Sequence, residues 1–342
     1  MSRRSLARFP AHRRGFTLAE LLVGLLVVSV LAALAGVWTS RTRSMGSLGV
    51  TMANLRQFGA WNLSYAADHN DVFGTFSWKA NVEQSTQYPD LRGPFANGQD
   101  AAGAQAIDII RRLAGESVSS TPRPSNWIPH ILYQHLVLLD HAGERLPSFS
   151  AISPEDANRL DWANDPAGFR RGVFGPRQPS PDGVNWRWIF SSSYETSLSF
   201  CQSGDATGVS QSSTHNTYTF QSGTVDFIQR RLSEVAFASR KAHMWDTYQR
   251  HLGARVAYFA SDEARVPVLF VDGHVAVRAT TDANRGWNPT TPTSPAVTSF
   301  VYQPASWEPP VPPPGGSATY AGRYRWTRRG INGRDFDGPE VQ

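Results

Sequence analysis

The stretch Arg13-Arg14-Gly15-Phe16-Thr17-Leu18-Ala19-Glu20 begins an apolar run that continues to Trp38, and Glu20 is the one ionisable residue between positions 16 and 38. A run of roughly 20 apolar residues, rising 1.5 Å each, is long enough to cross the hydrocarbon core of a membrane. Residues 1–15 contain five arginines and no acid, which predicts that this end stays in the cytoplasm. We therefore expect a basic leader over 1–15 and a transmembrane helix over 16–38.

Glu20 is the unusual residue of the run. A carboxylate in mid-membrane costs about 2.5–3.5 kcal/mol on insertion scales, so such groups usually have a partner. The arginines, Gly15, the Phe-Thr-Leu sequence and Glu20 together resemble the type IV prepilin signature. The resemblance implies that prepilin peptidase cuts between Gly15 and Phe16 and methylates the new N-terminus of Phe16. It also implies that Glu20 pairs with the α-ammonium group of a neighbouring subunit.

Two other interpretations account for the same apolar run. Ala33-Leu34-Ala35 has the A-x-A form of an ordinary signal-peptide cleavage site, which would make the chain a secreted enzyme or binding protein beginning at Gly36. A simple signal anchor would instead make it a membrane-tethered surface-binding module. Neither alternative needs an acid inside its apolar segment.

The charge and the cysteine content exclude several functions. The five leader arginines account for the whole excess of 33 basic over 28 acidic residues, so the remaining chain is formally neutral and lacks the basic footprint of a nucleic-acid-binding protein. Cys201 is the single cysteine, which excludes an intrachain disulfide and a cysteine-based zinc cluster.

The helical pattern continues beyond the apolar run. Apolar residues recur at steps of three, four or seven and predict an amphipathic continuation over 39–70: Met45, Leu48, Met52, Leu55, Phe58 and Tyr65. The polar sequence from Asp68 to Asp71 predicts the end of this helix. Residues 54–59 and 65–70 are similar to the segment that follows the helix in large pseudopilin-like proteins. Residues 71–342 would then form an extracytoplasmic globular domain.

Within that domain the elements are mostly short. Asp100–Leu113 reads as a helix, and residues 133–140 fit either a strand or a buried helix. Residues 141–185, rich in Pro, Gly, Asp and Asn, indicate a long excursion outside the core. Aromatic and Ser/Thr alternation predicts strands at 186–190, 194–200 and 320–326. The predicted fold is α+β, with the long N-terminal helix packed on an antiparallel β-sheet carrying large loops.

The strongest strand signal is a hairpin over 268–275, with Asp272-Gly273 as a type I′ turn. This segment is similar to a late FxDG strand-turn of the same pseudopilin-like proteins. Asp272 and His274 are also weak candidates for a metal pair. Asp335 and Asp337 lie in a tail that has the look of a calcium loop, although it lacks the glutamate that an EF-hand loop requires.

The sequence carries none of the common catalytic motifs, such as G-x-S-x-G, H-E-x-x-H or a phosphate-binding glycine loop. We therefore expect no enzymatic activity and no cofactor beyond the candidate calcium. The resemblance implies a structural subunit of a type IV pilus-like or type II secretion pseudopilus filament in the inner membrane. Its implied partners are prepilin peptidase, other pilin or pseudopilin subunits, the inner-membrane assembly platform and membrane lipid.

Overall fold

The computed structural model describes residues 18–129, 131–202, 209–212, 214–220, 227–253, 255–286, 299–311 and 316–341, with the backbone alone for 32–43. Its helices are α1 (Leu18–Asp68), α2 (Gly98–Ala114), α3 (His135–Ala142), α4 (Ala157–Asn164) and α5 (Pro166–Arg170). Its strands are β1 (Tyr194–Thr196), β2 (Val209–Gln211), β3 (Tyr218–Phe220), β4 (Ala242–Asp246), β5 (Tyr248–Gln249), β6 (Ala257–Tyr258), β7 (Arg265–Phe270), β8 (Val275–Ala279), β9 (Ser299–Tyr302) and β10 (Ala318–Ala321). The helices and the antiparallel pairing of the strands confirm the α+β class.

The N-terminal helix α1 runs without interruption for 51 residues. It ends at Asp68, after which Asn70 and Asp71 adopt positive φ angles of 55° and 69°, so the predicted helix stop is confirmed. No helix in the described part of the chain combines the length and the apolarity needed to cross a membrane. The membrane-spanning half predicted for residues 16–38 is therefore not confirmed.

The chain divides into two compact units, Met1–Gly46 and Ser47–Gln342. The described residues of the first unit are the N-terminal part of α1. The second unit contains the rest of α1, the sheets and the main hydrophobic core. Each unit has its own surface, and the two are described separately below.

The main sheet has four antiparallel strands in the order β1-β4-β7-β8. Strand β7 supplies its centre, because the side chains from Val266 to Phe270 are all buried. The predicted hairpin is confirmed, with Val268 opposite Ala276 and Leu269 opposite Val275. The remaining strands form three two-stranded antiparallel sheets.

The turn of this hairpin differs from the predicted type I′ geometry. Its loop has three residues, 271–273, closed by hydrogen bonds from the Phe270 amide to the His274 carbonyl (2.9 Å) and from the Gly273 amide to the Phe270 carbonyl (3.0 Å). Gly273 has a φ of 89°, whereas Asp272 does not adopt a positive φ. A three-residue loop needs one left-handed residue at its end, and a type I′ turn needs two, so the glycine alone meets the requirement.

The predicted helix at Asp100–Leu113 is confirmed as α2. Asn97 caps its first turn by accepting a hydrogen bond from the Asp100 amide (2.8 Å), and Gly115 ends it in the left-handed conformation. The structure also decides between the two readings of residues 133–140, because α3 occupies this segment with Leu136 and Leu139 fully buried.

The prediction that residues 141–185 lie outside the core is wrong. This segment contains α4 and α5, whose Trp162 and Phe169 are fully buried with ring centroids 5.3 Å apart. The strand predicted at 186–190 is also wrong, because a 3₁₀ helix covers Asn185–Phe190.

The other two aromatic segments are strands only in their first parts. Strand β1 occupies the start of 194–200 and is followed by the 3₁₀ helix Leu198–Phe200. Strand β10 similarly precedes the 3₁₀ helix Arg323–Arg325. In both cases the alternation of aromatic residues overestimated the length of the strand.

Candidate functional site

The described part of the first unit is a helix segment with an apolar surface. Its large side chains between positions 18 and 31 are 49–76% exposed. They are Leu18, Leu21, Leu22, Val23, Leu25, Leu26, Val27, Val28, Val30 and Leu31. Because consecutive residues point about 100° apart, these side chains cover every side of the helix. A helix that is apolar all round is normally covered by lipid or by other protein.

Glu20 lies in the first turn of α1 and is exposed. The other predicted processing and topology residues, Arg13, Arg14, Gly15 and Phe16, lie outside the described residues. Glu20, the predicted assembly residue, therefore lies within the first described turn of the apolar helix.

The part of α1 that belongs to the second unit is held by a buried stripe. Along it, apolar and polar residues alternate in steps of three and four: Leu48, Thr51, Leu55, Phe58, Asn62 and Tyr65, each at most 8% exposed. The apolar members confirm the predicted face, although Met45 on the same pattern is 62% exposed. Gly59 allows close packing, since a Cβ there would lie 2.9 Å from Leu269 Cδ1.

Two polar contacts of this stripe were not anticipated from the sequence. The hydroxyl of Thr51 lies 2.9 Å from His251 Nε2 and 3.2 Å from the hydroxyl of Ser153. Asn62 Oδ1 accepts a hydrogen bond from the Gly74 amide (3.0 Å). The signal was present in the sequence, because both residues continue the three-and-four spacing of the apolar positions.

A buried charge network lies next to His251. Arg250 donates to Asp156 at 2.8 Å and to Asp246, and Arg159 donates to Asp156 at 2.9 Å. Burial works to raise the pKa of Asp156, but Arg250, Arg159 and a hydrogen bond from Ser193 outweigh it and lower the pKa to about 2. The network joins the loop before α4 to the end of β4.

The two candidate metal ligands of the hairpin contact each other. Asp272 Oδ1 lies 2.5 Å from His274 Nδ1, and His274 stacks on Phe270 with ring centroids 4.3 Å apart. In the described residues, no group of three or more His, Cys, Asp or Glu side chains is arranged to hold a metal ion. The two side chains therefore contact each other across the hairpin turn.

The two candidate calcium ligands of the tail are engaged by cationic side chains. Asp335 is 2% exposed and lies 3.3 Å from the Lys241 ammonium group, while Asp337 pairs with Arg278. Asp335 also accepts hydrogen bonds from Thr327 (2.6 Å) and from the Ala242 amide (2.9 Å). Burial raises the pKa of Asp335 and lowers that of Lys241, and the opposite charge of each partner counters this effect.

Comparison with known proteins identifies one segment. Residues 10–36 match the prokaryotic N-terminal methylation motif. No curated protein and no solved structure matches the chain. The chain therefore carries a motif of the prepilin type, consistent with a pilin or pseudopilin.

Proposed function

We propose that this chain is a structural subunit of a type IV pilus-like or type II secretion pseudopilus filament. In this proposal prepilin peptidase cuts between Gly15 and Phe16 and methylates Phe16. The subunit waits in the inner membrane with its N-terminus towards the cytoplasm, and the assembly platform then transfers it into the filament. The observation that carries the proposal is the methylation motif at residues 10–36.

The surface of α1 supports the same role. Ten large apolar side chains of this helix segment are about half exposed or more. Leaving apolar surface in water is unfavourable by roughly 25 cal/mol for each Å², relative to burying it. Membrane lipid covers this surface before assembly, and other pilin or pseudopilin subunits cover it afterwards. The proposal gives the chain no chemical reaction, no cofactor and no nucleic-acid partner.

Glu20 supplies the specific contact in this proposal. Removal of the leader creates an α-ammonium group on Phe16, four residues before Glu20. When subunits assemble, the carboxylate of one pairs with the ammonium group of the next. Two charges that are costly in an apolar environment when alone are tolerated as a pair. The pair therefore fixes the axial position of each subunit.

The experiment expresses the full chain in its host and combines intact-mass analysis with crosslinking between copies. We expect the wild type to begin at Phe16 and to carry one additional methyl group. Glu20→Ala should insert and be processed normally yet lose the crosslinks between copies, whereas Glu20→Asp should retain part of them. Gly15→Val should keep the leader.

Three outcomes contradict the proposal. A wild-type chain that retains residues 1–15 excludes processing. A chain that begins at Gly36 indicates an ordinary secreted protein. Crosslinks between copies that are unchanged in Glu20→Ala show that association of the copies does not use the proposed pair between Glu20 and the α-ammonium group.

A further inference from the structure

A cavity of about 670 Å³ lies in the second unit. It is lined by three separate segments: residues 155–159 at the start of α4, residues 248, 250, 255 and 256 from β5 onward, and residues 306–311 after β9. Its volume falls within the ~300–1,000 Å³ that is usual for small-molecule sites. The proposed filament role does not involve this cavity.

The charges in the described lining balance. Its carboxylates are Glu155, Asp156 and Glu308, and its guanidinium groups are Arg159, Arg250 and Arg255. Four of these side chains are 5–8% exposed and are held in place by polar contacts: Asp156 forms ion pairs with Arg159 and Arg250, and Glu308 lies 2.9 Å from His215 Nε2. A lining with equal numbers of fixed positive and negative charges has no overall preference for an anion or for a cation.

The two buried carboxylates keep capacity to accept hydrogen bonds. Among the described residues, Asp156 Oδ1 accepts one bond, from the Arg159 amide (3.3 Å), and Glu308 Oε2 accepts one, from the Ala305 amide (2.9 Å). A carboxylate oxygen has two lone pairs, so each can take a further donor. A ligand that carries hydroxyl groups supplies such donors, whereas an aliphatic ligand would cover these oxygens without replacing their hydration.

An aromatic surface completes the cavity. Trp307 is half-buried, and its ring lies edge-on to Trp188 at 4.8 Å and to Trp162 at 5.7 Å between centroids. Asn158 donates to the Trp307 carbonyl at 2.7 Å, which fixes the backbone there. Tyr248 lies in the same lining, with the Arg250 guanidinium 4.8 Å from its ring centroid. Tyr248 is 3% exposed, so the partly exposed ring of Trp307 presents the flat apolar surface next to these fixed polar groups.

We propose that this cavity binds a neutral saccharide of about disaccharide size. The C–H face of one of its rings packs on Trp307, and its hydroxyl groups donate to Asp156 and Glu308. Such a ligand has the apolar faces, the hydroxyl donors and the absence of charge that the lining requires. The proposal does not depend on filament assembly.

The test uses the full chain in a detergent without a sugar headgroup, because a glycoside detergent would occupy the site. Cellobiose, maltose and N,N′-diacetylchitobiose are titrated, with saturation-transfer NMR and tryptophan fluorescence as readouts. We expect at least one of them to bind. Val256→Trp fills the cavity from a side chain that is 45% exposed, and it should weaken binding at least about tenfold.

Val118→Trp is the matched control, since Val118 is 46% exposed and lies outside the lining. It should change the affinity by less than about twofold. Trp307→Ala should weaken binding more than Trp78→Ala, which removes a half-buried tryptophan outside the lining.

Three results would overturn the proposal. The first is that none of the three disaccharides binds. The second is equal weakening by Val256→Trp and Val118→Trp. The third is that octanoate or a proline-rich peptide binds at this cavity more tightly than every saccharide tested.

Discussion

Replacing Asp335 by asparagine tests whether the C-terminal tail is held by a buried ion pair. Asp335 and Lys241 are 2% and 0% exposed, and their charged atoms lie 3.3 Å apart. At an effective dielectric constant of about 20, this distance gives an attraction of about 5 kcal/mol. The variant leaves the Lys241 charge buried without its partner, a change that costs about 3–5 kcal/mol in comparable pairs. We expect the free energy of unfolding to fall by this amount.

The assay is urea unfolding of the full chain in detergent, followed by tryptophan fluorescence. Adding Lys241→Met to the asparagine variant removes the second charge, and the asparagine oxygen can still accept the hydrogen bond from the Ala242 amide. The double variant should therefore recover about half of the loss or more. The matched control is Asp337→Asn, at an ion pair whose acid is 54% exposed, and it should cost less than about 1 kcal/mol.

This reasoning would be refuted by a cost for Asp335→Asn below about 1 kcal/mol, the level of an exposed pair. It would also be refuted if the double variant were no more stable than the asparagine variant. A third refutation concerns calcium. If EDTA reproduced the loss in the wild type and calcium reversed it, Asp335 would be a metal ligand and the pairing with Lys241 would not explain its stability.

Two further predictions concern the folding of the second unit. His243 packs edge-on against both Phe73 and Phe200, and burial lowers its pKa to about 4. As the pH falls, the imidazole of His243 is therefore protonated in the unfolded chain before it is protonated in the folded chain. The free energy of unfolding falls by up to ~3 kcal/mol as the pH drops from about 6.5 to 4. His243→Phe should reduce the loss by that amount when urea midpoints are compared across this pH range, and an unchanged pH profile would contradict the assignment. Phe58→Ala, at a fully buried position of α1, should cost about 3–5 kcal/mol, measured by urea unfolding. The control Leu63→Ala, at a position that is 44% exposed, should cost less than about 1 kcal/mol. Equal costs for the two variants would show that α1 is not docked through Phe58.

Local patterns predicted the elements that depend on near neighbours in sequence. The long helix to residue 68, α2 and the hairpin over 268–275 all followed from periodicity and turn residues. The hairpin loop was one residue longer than expected, because Gly273 alone supplies the positive φ. In these cases the hydrogen bonds close over a few residues, so the sequence nearby contains the necessary information.

For residues 141–185, local composition gave the wrong prediction. Its content of Pro, Gly, Asp and Asn is typical of loops, yet Trp162 and Phe169 are fully buried. Trp162 also contacts Trp307, far along the chain, with ring centroids 5.7 Å apart. Burial of this kind depends on which distant segments meet, and composition within a window does not record it.

The sequence by itself identified the N-terminal motif, because a processing signal is a local sequence. It is recognised in an extended or helical segment and needs no contact with residues distant in the chain. It also determined the apolar surface that follows, since twenty-odd residues with a single acid admit few alternatives. Only the tertiary structure decided that Asp335 faces Lys241, that Thr51 faces His251, and that three segments spaced along the chain enclose one cavity. The physical reason is that these contacts join residues roughly fifty to two hundred positions apart, and the packing of the whole second unit fixes their distances.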